Sequence, residues 1–165
     1  VALFSDTAIA DIKTIYLDYQ SRTSIQLVKI LCKEYWHIYP DFIPLEHDDI
    51  EIIHGEAKLI IGDRAIPFLE KYTHIIDLSE HWYNYTNMPF VFAMWVSNVP
   101  LREDFRDKFY SAITDSINNK KYILKDLLQK YNNSKFNTSL YLVDKFQYYI
   151  TPKHYEGMAY FFDCI

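Results

Sequence analysis

Two short segments of this 165-residue chain collect the residue types that handle anions and hydroxyl groups. The first, Asp18-Tyr19-Gln20-Ser21-Arg22-Thr23-Ser24, joins the end of an apolar run to the start of a segment with helical period. Backbone N–H groups at a helix start lack intrahelical partners and sit at the positive end of the dipole. The hydroxyls of Ser21, Thr23 and Ser24 add donors and Arg22 adds a cation, a combination that suits a carboxylate. The competing reading is that one hydroxyl only caps the helix and Arg22 is solvated. The second segment, Leu59-Ile60-Ile61-Gly62-Asp63-Arg64-Ala65, is a buried strand ending in a glycine and a charged pair. Gly62 lets backbone approach a ligand closely, and Asp63 can accept a hydroxyl's hydrogen bond or serve as a base. Its competing reading makes Asp63 the N-cap of a short helix, with Arg64 outside.

Other chemistries are excluded by spacing. The three glycines, Gly55, Gly62 and Gly157, are too far apart for a dinucleotide fingerprint, a phosphate-binding P-loop or a nucleophile elbow. None of the six histidines belongs to an H-E-x-x-H pattern, and His47-Asp48-Asp49 reads as a solvated turn, so no metal and no organic cofactor is expected. Cys32 and Cys164 lie in apolar surroundings without C-x-x-C spacing, which reads as buried reduced thiols and a cytosolic compartment. Lys plus Arg at 17 against Asp plus Glu at 22 leaves a net charge of -5 with no basic cluster, so nucleic acid is not an expected partner. The 15 Tyr and 11 Phe are then core and helix-face residues, because stacking on bases would need a basic groove. Asn84-Tyr85-Thr86 and Asn137-Thr138-Ser139 match the glycosylation pattern, which has meaning only after secretion.

The elements that must position the two segments follow from periodicity. Half the residues are hydrophobic and no apolar run reaches the roughly 18 residues of a spanning helix, so a soluble globular domain with no membrane partner is expected. Short apolar runs alternate with segments of helical period, the pattern of an α/β sheet. Strands are expected at Val1 to Phe4, Thr14 to Leu17, Phe42 to Leu45, Leu59 to Ile61, His74 to Asp77 and Phe90 to Val96. The clearest helix runs from about Thr23 to Trp36, with Ile25, Val28, Cys32 and Tyr35 in one stripe widened by Leu27 and Leu31. After Pro100 helices take over. One carries Leu101, Phe105, Phe109, Ala112 and Ile117 on one side, and another covers Tyr122 to Tyr131 before a loop at Asn132 to Asn137. A last one has Thr151 as N-cap, Pro152 at its first position, and Tyr155, Met158, Phe162 and Ile165 on one face. The expected division is an α/β lobe over 1–97 carrying both motifs and a helical segment over 98–165 packing back on the lobes. No secretory pattern opens the chain, and Val1-Ala2-Leu3-Phe4 reads as a strand already under way without a starting Met, the look of a fragment or processed form.

In order and spacing, several segments together resemble the chorismate dehydratase family of menaquinone biosynthesis. They are Val1 to Ser5, the Ser21-Arg22-Thr23-Ser24 turn, Ile61-Gly62-Asp63-Arg64-Ala65, Asp77 to Trp82, and Pro89-Phe90-Val91-Phe92-Ala93-Met94-Trp95. Where that family usually has Gly-Leu before the Pro-Phe-Val-Phe-Ala segment, this chain has Asn87-Met88, a turn variant. The resemblance implies a type II periplasmic-binding-protein-like fold, two α/β lobes with the ligand in the cleft, used by a cytoplasmic enzyme; here mainly the second lobe plus C-terminal helices would be present. It implies a Tyr-Leu-Asn motif and a serine in a preceding segment, neither of which this sequence contains. The implied reaction eliminates water from chorismate to give 3-(1-carboxyvinyloxy)benzoate, on the futalosine route to menaquinone. The implied substrate-binding residues are Ser21, Arg22, Thr23, Ser24, Gly62 and Asp63, with the proton acceptor either in the preceding segment or the substrate's own side-chain carboxylate. A non-catalytic solute-binding or ligand-sensing module of the same fold is the alternative from another class.

Overall fold

The computed structural model describes residues 1–125 and 140–165 of the chain. These form two compact units, one made of Val1–Ala93 with Thr151–Ile165 and the other of Met94–Ile150. The final helix thus belongs with the sheet rather than with the helices that precede it.

Unit one is an α/β layer built on five strands: β1 (Ala2–Ser5), β2 (Thr14–Leu17), β3 (Asp41–Pro44), β4 (Glu56–Ile60) and β5 (His74–Asp77). Their order across the sheet is β3-β2-β4-β1-β5. β2 runs parallel to both β3 and β4, whereas β1 is antiparallel to β4 and to β5, so the sheet is mixed and four strands share one direction. Five of the six expected strands are present. The run Phe90 to Val96 is not a strand. The Phe90 ring lies 4.7 Å from that of Phe92, 5.4 Å from Trp82 and 5.0 Å from Phe161, so the apolar run joins an aromatic cluster instead of a ladder.

Helix α1 (Arg22–Ile30) continues without a break as a π-helical stretch, Leu31–Trp36, which together match the expected helix. Leu27, Val28, Leu31 and Cys32 are buried against Leu3, Ile15 and Leu59 of the sheet. Burial pushes the Cys32 thiol up to about 12, which makes it an inert core group; Cys164 is also a free thiol but only half-buried. A second helix, α2 (Leu78–Thr86), occupies the Asp77 to Trp82 motif and extends beyond it; Asp77 caps it by accepting from the Ser79 N–H at 2.8 Å. It ends on Asn87 with φ 57°, whose N–H reaches Tyr83 O at 2.7 Å. Asparagine is the side chain that best tolerates that left-handed cap after glycine, so Asn87 does stand as a turn variant.

Trp36 and α2 are joined where the indole N–H donates to His81 Nδ1 at 3.0 Å. Burial pulls the His81 imidazole below its ordinary 6.5, although Glu80 and Asp77 oppose the shift. Its folded pKa is therefore depressed, and the stabilisation it brings is present above about 6.5 and lost as pH falls below it. Thermal melts of wild type and His81→Phe between pH 7.5 and 5 should converge as pH drops; a constant gap would remove His81 from the acid limb.

The last helix, α5 (Pro152–Asp163), follows Thr151 and Pro152 as expected. Thr151 donates its backbone N–H to His154 Nδ1 at 3.1 Å, closing a capping box with histidine in the acidic position. Its buried face differs from the expected one. Tyr155, Phe162 and Ile165 are exposed, and His154, Gly157 and Phe161 are buried. The reason is a backbone approach: a Cβ on Gly157 would lie 2.5 Å from Pro89 O. Gly157→Ala should therefore lower stability by about 1–3 kcal/mol despite alanine's better helix propensity, read as a lower urea midpoint. An unchanged or raised midpoint would mean that the Pro89 segment yields freely.

Unit two contains α3 (Glu103–Asn118), the short α4 (Lys120–Ile123) and a π-helical turn at Leu140–Lys145. None of the residues of α3 is buried. Within this unit Phe105 stacks on Phe109 at 6.1 Å, and Trp95 meets Phe109 edge-on at 5.6 Å. Most of the helix expected over Tyr122 to Tyr131, the loop at Asn132 to Asn137 and the Asn137-Thr138-Ser139 triplet lie outside the described residues. Among the described residues, no helix is long and apolar enough to cross a membrane.

Candidate functional site

Because β2 and β4 are adjacent and parallel, in register from Thr14↔Glu56 to Tyr16↔Lys58, the loops that follow them leave the same edge of the sheet side by side. The carboxyl edge of parallel strands is where open α/β sheets take their ligands. The two segments singled out in the sequence are these two loops.

The turn after β2 splits the three hydroxyls into two roles. Ser21 is the N-cap of α1: its Oγ accepts from the Ser24 N–H at 3.1 Å and donates to Ser24 Oγ at 2.7 Å. Ser24 is buried, whereas Arg22 is exposed and Thr23 is half-buried; neither Arg22 nor Thr23 has a side-chain partner among the described residues. The cap reading therefore applies to Ser21. The Thr23 hydroxyl, the Arg22 cation and the Arg22 and Thr23 N–H groups remain uncommitted, groups of the kind that can hold a carboxylate.

In the loop after β4, Gly62 adopts φ +64° and begins a tight helical stretch, Gly62–Phe68. Nothing lies within 4 Å of where its Cβ would be, so backbone conformation demands the glycine and the space beside it is open. Asp63 is exposed and sits inside the first turn, preceded by Ile61 in the capping position, so it is not an N-cap. Its carboxylate has no partner among the described residues.

Arg64 does not lie outside. Its guanidinium bonds the fully buried Asp18 through Nη2 and Asp48 through Nη1, the latter at 2.6 Å. The Asp18 hydrogen bond holds the Arg64 guanidinium above its ordinary range, burial opposing it. Asp18 also accepts from the Gln20 N–H at 2.9 Å and from the Ile61 N–H at 3.0 Å. It thereby ties the two loops together just past the point where the β2–β4 ladder stops. The reading of His47-Asp48-Asp49 as a solvated turn needs the same correction at Asp48, which is drawn inward by its own arginine. A fourth charged group completes the arrangement. Lys58 is fully buried on β4 and donates to Asp48 O and Ile50 O, both at 2.9 Å, with its ammonium 4.1 Å from the centre of the Phe68 ring. Burial pulls its pKa below the ordinary range, with Lys71 adding to the effect.

Sequence reasoning missed Asp18, Asp48, Lys58 and the inward turn of Arg64. A charged residue in sequence carries no sign of its partner, and only the β2–β4 register brings residues 18 and 64 together. Asp18 just after a strand was the available signal.

What these features define is an α/β domain with a mixed sheet whose parallel edge carries two neighbouring loops, one with the uncommitted Arg22 and Thr23 side chains and one with the exposed Asp63 carboxylate. A family described as menaquinone biosynthesis matches residues 1–165. The chain belongs to that menaquinone biosynthesis family. It is also similar to a chorismate dehydratase from Thermus thermophilus, with 32% identity over 113 residues, covering 58% of this chain and 41% of that relative. The match thus spans less than half of the relative's length.

Proposed function

We propose that this chain forms part of a cytoplasmic chorismate dehydratase, the hydro-lyase that converts chorismate to 3-(1-carboxyvinyloxy)benzoate in menaquinone biosynthesis by the futalosine route. The observation that carries this reading is the emergence of the Thr23 turn and the Gly62-Asp63 loop from adjacent parallel strands, tied together by Asp18. Family membership and the similarity to the Thermus enzyme support it. The sheet supports a lobe of a type II periplasmic-binding-protein-like fold, since four strands end on one edge and both candidate loops lie there.

Chorismate is a dianion. In the proposed arrangement one carboxylate lies against the first turn of α1, held by the Arg22 and Thr23 N–H groups, the Thr23 hydroxyl and the Arg22 cation. Gly62 leaves room for the ring beside the backbone, and Asp63 accepts a hydrogen bond from the ring hydroxyl. Elimination removes the ring proton next to the ether while the neighbouring hydroxyl departs with the bonding pair, and the two leave as water. Aromatisation drives the step, so the protein's contribution is to fix the dianion in one geometry and exclude alternatives. No redox or electrophilic step calls for a metal or cofactor.

Chorismate consumption and the rise of the aromatic product's absorbance, followed with the product of the complete reading frame that encodes this chain, test the reading. Turnover supports it. Tight chorismate binding without turnover would instead make this a binding module, and neither would overturn both. Treating an active preparation with a chelator should leave its rate unchanged; activity lost and then restored by zinc or magnesium would refute cofactor independence.

A further inference from the structure

The buried charges next to the proposed site have a geometry that a structural ion pair alone does not need. Arg64 is bound from two sides, by Asp18 at the end of β2 and by Asp48 in the loop between β3 and β4, with its side chain 23% exposed. Both carboxylate oxygens of Asp18 are in use: Oδ1 takes the Gln20 N–H, and Oδ2 takes the Ile61 N–H and Arg64. Gln20 immediately precedes the anion-receptive turn, and Ile61 immediately precedes Gly62. One carboxylate therefore sets the backbone of both candidate loops at once. Asp48 is held by its own main chain, because the buried Lys58 ammonium takes its carbonyl oxygen and that of Ile50. The chain of contacts runs from the β4 interior through Lys58, the Asp48 loop, Arg64 and Asp18 to both loops.

We propose that Arg64, braced by Asp48, is a positioning residue that fixes the distance between the Thr23 turn and the Gly62-Asp63 loop, so that a dianionic ligand meets both at once. The assignment rests on the reading of that edge as the chorismate site. Two carboxylates around one guanidinium leave no positive charge for a ligand, so Arg64 acts through Asp18 and does not itself contact the substrate. Its planar fork is what allows two partners to be engaged in fixed directions. A lysine at this position offers a point charge that satisfies one carboxylate at a time.

Arg64→Lys and Asp48→Asn, both milder than removal of Asp18, provide the test in the complete protein. Amide hydrogen exchange reads the geometry without any ligand, and chorismate binding and turnover read its use. Arg64→Lys should raise exchange at Gln20 and Ile61 together, by roughly tenfold, while amides of β1 and β4 keep their protection. The KM for chorismate should rise by a similar factor, with kcat changed less. Asp48→Asn should show the same pattern at smaller size. Exchange rising at Ile61 alone, or the joint exchange change with an unaltered KM in a wild type that turns chorismate over, would overturn the assignment. A wild type that neither binds nor converts chorismate would instead refute the proposed substrate, and the exchange result alone would then decide whether Arg64 couples the loops.

Discussion

Asp18→Ala is expected to cost about 2–4 kcal/mol of folding stability, the larger part of what breaking a buried ion pair usually costs. The carboxylate is fully buried and takes two backbone N–H groups as well as the Arg64 guanidinium. Removing it leaves the Gln20 and Ile61 donors without acceptors, each at a desolvation cost of about 1–3 kcal/mol where water cannot enter. Arg64 keeps Asp48 and some access to solvent, which is why the total stays below that of an orphaned buried charge. Asp18→Asn should be nearly as damaging, because an amide nitrogen would replace one of the accepting oxygens. Urea unfolding of both variants measures the loss. A cost under about 1 kcal/mol for the alanine variant would show that Asp18 does not hold the strand ends together.

The second large effect is kinetic. Thr23→Ala removes a hydroxyl that no described protein group uses, so its loss should appear in catalysis: roughly ten- to a hundredfold in kcat/KM, from about 1.5–3 kcal/mol for a bond to a charged acceptor, with little change in melting. Ser24→Ala should behave differently. Its buried hydroxyl accepts from the Ser21 cap, so the variant should lose up to about 1 kcal/mol of stability along with any kinetic loss. Melting temperature measured beside kcat/KM separates the two residues. A lowered melting point and normal kinetics for Thr23→Ala would give that residue a structural role and leave the Arg22 cation and Asp63 as the polar side chains of the proposed site.

Five strands, the long α1 segment and the start of α5 are legible in sequence because each rests on local signals: period, caps, and Pro152 at a helix start. α2 escapes such a reading although Leu78, Trp82 and Tyr85 repeat at helical spacing after an Asp cap. Its short length and the family motif laid over it hide the period. Phe90 to Val96 misleads for the opposite reason, since a short apolar run reports only side chains that avoid water, not that a neighbouring strand exists. The buried face of α5 escapes because burial there follows a close backbone approach at Gly157 and a histidine satisfied by its own cap, neither of which looks apolar in sequence. Both candidate loops can be placed from sequence, yet the charges that fasten them together cannot, because Asp18, Asp48 and Arg64 are brought together only by strand register.

Strand β1, one place in from the sheet's end, also sets the order in which the chain can assemble. Ala2 pairs with Ile60 on one side and with Asp77 on the other, so its ladders close loops far longer than those of a hairpin. Closing such loops costs entropy before any contact repays it, and folding slows accordingly. Even once β4 has paired with it, the outer edge of β1 stands open until residue 77 has joined residue 2, a row of unpaired N–H and C=O groups on the mostly apolar strand Ala2–Ser5. During synthesis that edge waits for the β5 segment to emerge, and it is the surface on which two nascent copies would pair wrongly. A pause in elongation placed before the β5 segment has left the ribosome should therefore lower the soluble yield more than an equal pause placed after it.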